Sequence, residues 1–275
     1  MKPFHDGLPC LISGTISAIQ SIDLLGTPLL VTDYGGLSRQ CLEWSRATRC
    51  VAMDFANTQI VTMRRHEPAF RELTSAYDCF PPDGMPLIWC LNAAGAELRD
   101  RVYGPTFMRK FFESAPKDST HYLLGGSEEC GAKLREVFPG VNFVGAFHGK
   151  CHLDGSLEGA AEAGVLAEIE RHAPDFIWVG FGTPKQQAWV KRHKHLIRRG
   201  VIFTVGFAFD VNAGMKPDAP GWMQGLGLTW VFRFWSEPRR LGPRYVRYNF
   251  LFLWYVLFDG LRGRAWTKSA IKVSP

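Results

Sequence analysis

The sequence has no cysteine pair at CxxC spacing. Its seven cysteines (Cys10, Cys41, Cys50, Cys79, Cys90, Cys130, Cys151) are scattered and odd in number. That pattern argues against a disulfide framework or a thiolate zinc site and fits a reducing compartment. Long apolar runs are missing as well. The longest, FLFLWYVLF at 250–258, is nine residues, against about 20 for a bilayer-spanning helix. The N-terminal MKPFHDGLPCLISG lacks the apolar core of a secretory signal. Neither G-x-G-x-x-G nor G-x-x-x-x-G-K-[ST] occurs, which disfavours a dinucleotide fingerprint and a P-loop. H-E-x-x-H and G-x-S-x-G are absent, and with them the zincin and hydrolase-elbow signatures. No DxD carboxylate pair is present to hold a divalent metal. His193 and His195 stand two apart, so on a helix they do not share a face. There are no repeats and no low-complexity segments.

What is present reads as an alternation of strands and helices. The chain has 275 residues, 46% apolar and 21% charged, with a formal charge of +6. That length suits one large domain, or one plus an appendage. LLVTD (29–33), RCVAMDFA (49–56), HYLLGG (121–126), VNFVGAF (141–147), DFIWVGFG (175–182) and GVIFTVGFAF (200–209) read as strands. Helices are expected at 37–47, 67–76, 86–99, 106–115, 127–138, 157–172 and 183–199. The strands are continuous apolar runs, as in parallel sheets whose two faces are covered by helices. The expected class is α/β, a doubly wound and mostly parallel sheet.

After about residue 220 the composition changes. Trp222, Leu226, Trp230 and Phe234 recur every fourth residue as an apolar helical stripe. Residues 225–275 hold nine Lys or Arg against two acidic residues, Glu237 and Asp259. This stretch carries the whole positive excess, so the rest of the chain is close to neutral. Arginine and lysine interleaved with Trp, Phe and Tyr suit an anionic membrane surface. The same stretch also suits a helical cap packed on the main domain. The division expected is an α/β domain at 1–220 and a helical, membrane-associating appendage at 221–275.

Three turns at expected strand ends carry polar residues, and ligands of open α/β sheets bind at such ends. In LLGGSEE (123–129), Gly125 and Gly126 let backbone amides approach a ligand, and Ser127 can cap the next helix. In VGFGTPKQQAW (179–189), Gly182 ends a strand, Thr183 can cap a helix and Pro184 suits its first position. Lys185 and Gln186 then face the crevice, where an ammonium and an amide suit a phosphate and a sugar hydroxyl. In PDGMP (82–86), Asp83 stands between prolines. It can act as a general base or serve as an ordinary turn residue.

Taken in order, several stretches resemble the WecG/TagA/CpsF family of bacterial glycosyltransferases. They are FAN (55–57), EPAFRELTSAYDCFPPDGMPL (67–87), DRVYGPTF (100–107), YLLGG (122–126), VGFGTPKQQAW (179–189), VGFAFDVNAG (205–214), APGWMQGLGLTWVFR (219–233) and EPRRLGPRY (237–245). They span roughly residues 50 to 250. The resemblance implies a Rossmann-like α/β fold with a helical C-terminal appendage on the membrane. It implies an inverting, metal-independent hexosyltransferase without a cofactor. Such an enzyme moves a sugar from a UDP-sugar donor to a lipid-diphosphate-linked saccharide acceptor, in exopolysaccharide or other surface polysaccharide biosynthesis. By the same resemblance Asp83 is the general base. Asn57 and Gln186 touch substrate, Arg101 belongs to the RVxG stretch, and Arg240 and Arg244 neutralise diphosphate charge. Three positions depart from the family pattern: Gln187 stands where Glu is common, Phe55 where Thr is common, and Thr229 where Glu precedes Trp230. The first 45 residues match poorly.

The expected partners are therefore the UDP-sugar, the lipid-linked acceptor and an anionic membrane surface, with no nucleic acid. A homo-oligomer is compatible with the apolar helices. The expected location is cytoplasmic, peripheral on the inner face of the cell membrane. Two other classes fit parts of the sequence: a nucleotide-dependent enzyme such as an oxidoreductase, and a non-catalytic membrane-surface or nucleotide-binding protein using the basic tail.

Overall fold

Alternate residues of each central strand belong to two different apolar cores. Val51, Met53, Leu123, Phe176, Trp178, Val201 and Phe203 face one side. Ala52, Tyr122, Leu124, Ile177, Val179 and Ile202 face the other. This is the period-2 alternation of a strand with both faces covered, and it explains why the runs are apolar throughout. A computed structural model describes residues 19–236, 238–261 and 266–271.

The described residues begin with a hairpin, β1 (Ile19–Leu24) and β2 (Thr27–Leu30), then α1 (Tyr34–Ser45), β3 (Cys50–Asp54), α2 (Thr58–His66) and α3 (Pro68–Leu73). Next come α4 (Met85–Ala93), α5 (Gly104–Ser114), β4 (Thr120–Gly125), α6 (Glu128–Val137), β5 (Asn142–Phe147) and α7 (Ala161–His172). The order continues with β6 (Phe176–Gly180), α8 (Lys185–His193), β7 (Gly200–Thr204), α9 (Ala208–Asn212) and α10 (Gly221–Gly225). It closes with α11 (Thr229–Ser236), α12 (Pro238–Leu261) and β8 (Trp266–Ile271).

Five strands form one sheet in the order β3-β7-β6-β4-β5. Every pairing in it is parallel, with Val51 opposite Val201 and Tyr122 opposite Ile177. On one face Phe107 and Phe111 of α5 interlock with Trp178 and Phe203, the last two with ring centroids 4.3 Å apart. Ile60, Ile169 and Trp189 belong to the opposite core, with α2, α7 and α8. This is the expected Rossmann-like architecture.

The open edge of β3 is occupied by an extended stretch, residues 78–83. Asp78 N donates to Ala52 O (2.9 Å), Asp54 N to Cys79 O (3.2 Å) and Ala56 N to Pro81 O (2.9 Å). Pro81 and Pro82 have no N–H to give, and an edge is where a sheet tolerates that loss. Leu30 N donates to Phe80 O (3.0 Å), joining this stretch to a small antiparallel sheet ordered β2-β1-β8.

Several local expectations are corrected. The small antiparallel sheet was not foreseen, since β1 and β8 lie at opposite ends of the chain and pair only in the fold. Helix α2 was missed because TQIVTMRRH lacks a clear apolar stripe; Asn57 caps it, Oδ1 accepting from Ile60 N at 3.1 Å. Strand β7 stops at Thr204, not at 209, because Gly206 turns with φ +47 and Phe209 enters α9. Helix α4 ends at Ala93, before Gly95 at φ +89. Thr183 does not cap α8, which starts at Lys185 after Pro184. The stripe from Trp222 to Phe234 is split between α10 and α11, with Gly227 at φ +72 between them. Trp222, at 65% exposure, faces outward.

Helix α12 lies against α2. Thr58 Oγ1 donates to Asn249 Oδ1 (2.7 Å), Tyr248 OH to Glu67 Oε1 (2.5 Å) and Arg65 Nη2 to Asp259 Oδ2 (3.1 Å). His66 Nδ1 and Tyr255 OH are 2.7 Å apart. Among the described residues no helix is long and apolar enough to cross a membrane.

Candidate active site

The PDGMP loop gains its shape from three local constraints. Pro82 is bridged to Ala56, the residue before Asn57. Gly84 is extended and immediately precedes α4, and Pro86 fits the first turn of that helix, where its missing N–H costs nothing. Asp83 is therefore held between the carboxyl end of β3 and the start of α4. Its backbone N donates to Ala56 O at 2.7 Å. Its Oδ2 accepts from Gly104 N at 3.2 Å, in the first turn of α5.

Desolvation pushes the Asp83 carboxyl up from the ordinary carboxylate range to about 7. Arg101, the Gly104 amide and Arg233 pull it down, and Asp218 pushes it up. A group with that value exchanges its proton near neutrality, as a general base must.

Two cavities meet at this carboxylate. One, of about 490 Å³, lies over the carboxyl ends of β3, β4, β6 and β7 and is polar, with Asp54, Lys185, Thr204, Asp210 and Lys216 in its wall. The other, of about 650 Å³, lies between the start of α4 and the helices α11 and α12. Its wall is mostly apolar, with Met85, Trp230, Phe234, Phe250 and Leu253. Asn57, Asp83 and Arg233 line both.

Asn57 uses Oδ1 to cap α2, and its Nδ2 has no hydrogen bond among the described residues. Arg101 is buried in the wall of the apolar cavity. Its Nη2 donates to Thr229 Oγ1 (2.7 Å), and its guanidinium sits 4.3 Å from the Tyr103 ring centroid. Thr229 thus meets Arg101 with a neutral hydroxyl, and Arg101 makes no salt bridge among the described residues. Gly126 and Gly182 line the polar cavity, and no atom lies within 4 Å of where a Gly182 side chain would begin. Gly125 does not line it; at φ +99, a Cβ there would come within 3.0 Å of Gly180 and Phe181. Lys185 and Gln186 line the polar cavity. Gln186 Oε1 accepts from Gly182 N at 3.1 Å, so this side chain also fixes the turn after β6. The side chains of Arg240 and Arg244, on α12, lie outside the described residues.

Sequence reasoning missed three residues of the site. Arg233 ends the stretch APGWMQGLGLTWVFR but is given no role there, yet it lines both cavities, 4.1 Å from the Phe207 ring centroid. Tyr103 lines the apolar cavity and donates to Asp218 Oδ1 at 2.8 Å. Asp54 is buried at the end of β3, and burial pushes its carboxyl up to about 6 against hydrogen bonds from Gln187 and Thr204. Those bonds are Gln187 Nε2 to Oδ2 (2.9 Å) and Thr204 Oγ1 to Oδ1 (2.7 Å). A signal for Asp54 existed: a carboxylate closing an otherwise apolar strand directly before FAN. Among the described residues, no three His, Cys, Asp or Glu side chains gather to hold a metal ion.

A parallel sheet whose carboxyl edge presents a titratable carboxylate between a polar and an apolar cavity suits group transfer between a polar donor and an amphiphilic acceptor. Residues 22–265 match the model of the glycosyl transferase WecG/TagA/CpsF family, and the chain belongs to that family. It is similar to an N-acetylglucosaminyldiphosphoundecaprenol N-acetyl-beta-D-mannosaminyltransferase of Staphylococcus aureus, at 28% identity over 68% of this chain and 72% of the relative. A protein of the same name from Bacillus spizizenii is 24% identical over 70% of this chain and 75% of that relative.

Proposed function

We propose that the protein transfers a sugar from a UDP-sugar to a saccharide linked to a lipid diphosphate, with inversion and without a metal ion. The observation that carries this is the position of Asp83 where the two cavities meet. The polar cavity takes the nucleotide-sugar, at the sheet edge where α/β folds bind such ligands. The apolar cavity takes the acceptor, whose class follows the relatives' names.

Asp83 accepts the proton of the acceptor hydroxyl as that oxygen bonds to the anomeric carbon. The bond from that carbon to the diphosphate breaks on the opposite face, its electron pair leaving with UDP. One displacement inverts the centre, so a single carboxylate suffices. Lys185 and Arg233, beside the polar cavity, meet the charge that develops on the departing diphosphate, and fixed cations in a partly dry site do this effectively. Asn57 offers its free amide to a sugar hydroxyl.

The same proposal places the enzyme on the inner face of the cell membrane, in surface polysaccharide assembly. Trp235 (74% exposed) and Phe250 (67% exposed) stand outward on the helices that carry the basic residues. Exposed aromatics among arginines suit the headgroup region. The test is UDP release by purified protein offered a panel of UDP-sugars, with and without lipid-diphosphate-linked acceptors, in EDTA. Acceptor-dependent release giving the opposite anomer to the donor is expected. Release abolished by EDTA, or a product of retained configuration, would refute this mechanism.

A further inference from the structure

We propose that the apolar cavity between α4, α11 and α12 is a binding site for the first isoprenoid units of the acceptor's lipid. The inference rests on the transferase reading above. It adds that the protein draws the head end of the tail out of the bilayer into its own fold.

The cavity has a direction. Its polar wall residues include Asp83, Asn57, Arg233 and the buried Arg101 and Tyr103, whereas its exposed wall is apolar, with Trp235, Val246, Phe250 and Leu253. An amphiphile ordered saccharide, diphosphate, tail fits this gradient one way round. The saccharide hydroxyl lies at Asp83, the diphosphate near the arginines, and the tail runs between α11 and α12. Ten of the lining side chains are apolar. A saccharide diphosphate is polar throughout and gains nothing from them. A chain that leaves water for a preformed apolar pocket does gain, one that leaves lipid exchanges one apolar surrounding for another, and the volume of about 650 Å³ is that of a small-molecule site.

The wall chemistry favours an isoprenoid over a straight alkyl chain. Trp230, Phe234, Trp235 and Phe250 put four aromatic rings in the wall, and aromatic rings pack well against the planar, methyl-bearing double bonds of an isoprenoid. Continuity matters too. The cavity opens beside α12, whose exposed Phe250 and Leu253 lie both on its wall and on the surface proposed to meet lipid. A tail can pass from bilayer to cavity without crossing water.

The test uses farnesyl diphosphate as probe, with the full-length protein, in EDTA, followed by tryptophan fluorescence or calorimetry. Inorganic diphosphate and the saturated pentadecyl diphosphate are the comparison ligands. Farnesyl diphosphate is expected to bind at least tenfold tighter than inorganic diphosphate, and tighter than the pentadecyl compound. Leu253→Glu, at an exposed position, is expected to remove most of that gain while leaving UDP binding intact. Trp89→Glu, an exposed aromatic outside the cavity, is expected to change neither. Equal affinity for farnesyl and inorganic diphosphate, or an unaffected Leu253→Glu, would overturn the tail site. Equal binding of the pentadecyl chain would overturn its isoprenoid preference. If sugar transfer proceeds while farnesyl diphosphate shows no gain, only the tail site falls. If no UDP-sugar and acceptor pair reacts, the transferase reading falls and takes this site with it.

Discussion

Asp83 is costly to the fold and, in the proposed reaction, useful for one reason, its desolvation. With a folded value of about 7, above the ordinary carboxylate range, the folded state holds the proton more tightly than the unfolded chain. Stability is thus full at low pH and falls as pH rises toward and through 7. Asp83→Asn removes that cost. At pH 8 it is expected to stabilise the protein by up to about 4 kcal/mol, a melting-temperature rise of several degrees, with little change at pH 4. Calorimetric melts at the two pH values check this. Turnover should move the opposite way and rise through about pH 7 as the base form appears. Arg101 and Arg233 lower the value, so Arg233→Gln is expected to shift the pH–kcat/KM midpoint upward. An unchanged midpoint would mean that Arg233 does not act on this carboxylate. At this scale the sequence was partly legible. Asp83, Asn57 and Arg101 sit in short motifs and Asp54 closes an apolar strand just before one of them, whereas Arg233 takes its place in the site from what the fold sets beside it.

Among the elements, the turn after β6 and the seam between α2 and α12 set the site. The turn is held twice, by Gln186 on Gly182 N and by Gln187 Nε2 between Asp54 Oδ2 and Thr183 Oγ1 (3.3 Å). Gln187→Leu leaves the buried Asp54 short of one donor. It is expected to cost about 1–3 kcal/mol and to weaken UDP binding, as melts and UDP titration together would show. The seam rests on polar links, so Tyr248→Phe with Asp259→Asn is expected to lower transfer to lipid-linked acceptor more than UDP binding. An equal loss of both would place the seam's effect elsewhere. The strands of the parallel sheet were readable because burial on both faces leaves an unbroken apolar run. The pairing of β1 with β8 was not, since it joins segments more than 240 residues apart. Nor was α2, which takes its place from packing on α12 and not from its own pattern.

At the scale of the molecule, a nearly neutral α/β body is joined to a basic, aromatic C-terminal stretch, and the reaction is proposed to occur between them. If the stretch holds an anionic surface by charge, Arg239→Glu, Arg240→Glu and Arg244→Glu together should reduce flotation with anionic liposomes. Added salt should do the same, since screening acts within about 8 Å at physiological ionic strength. Unchanged flotation would rule out the electrostatic form of that contact. Composition made the stretch visible, but its seat on α2 depends on contacts between distant residues. The most direct test of the central claim compares wild type with Asp83→Asn for acceptor-dependent UDP release, alongside UDP binding by calorimetry. A fall in release of about 10²–10⁴-fold with UDP binding preserved is expected. A variant that releases UDP at the wild-type rate would contradict that claim.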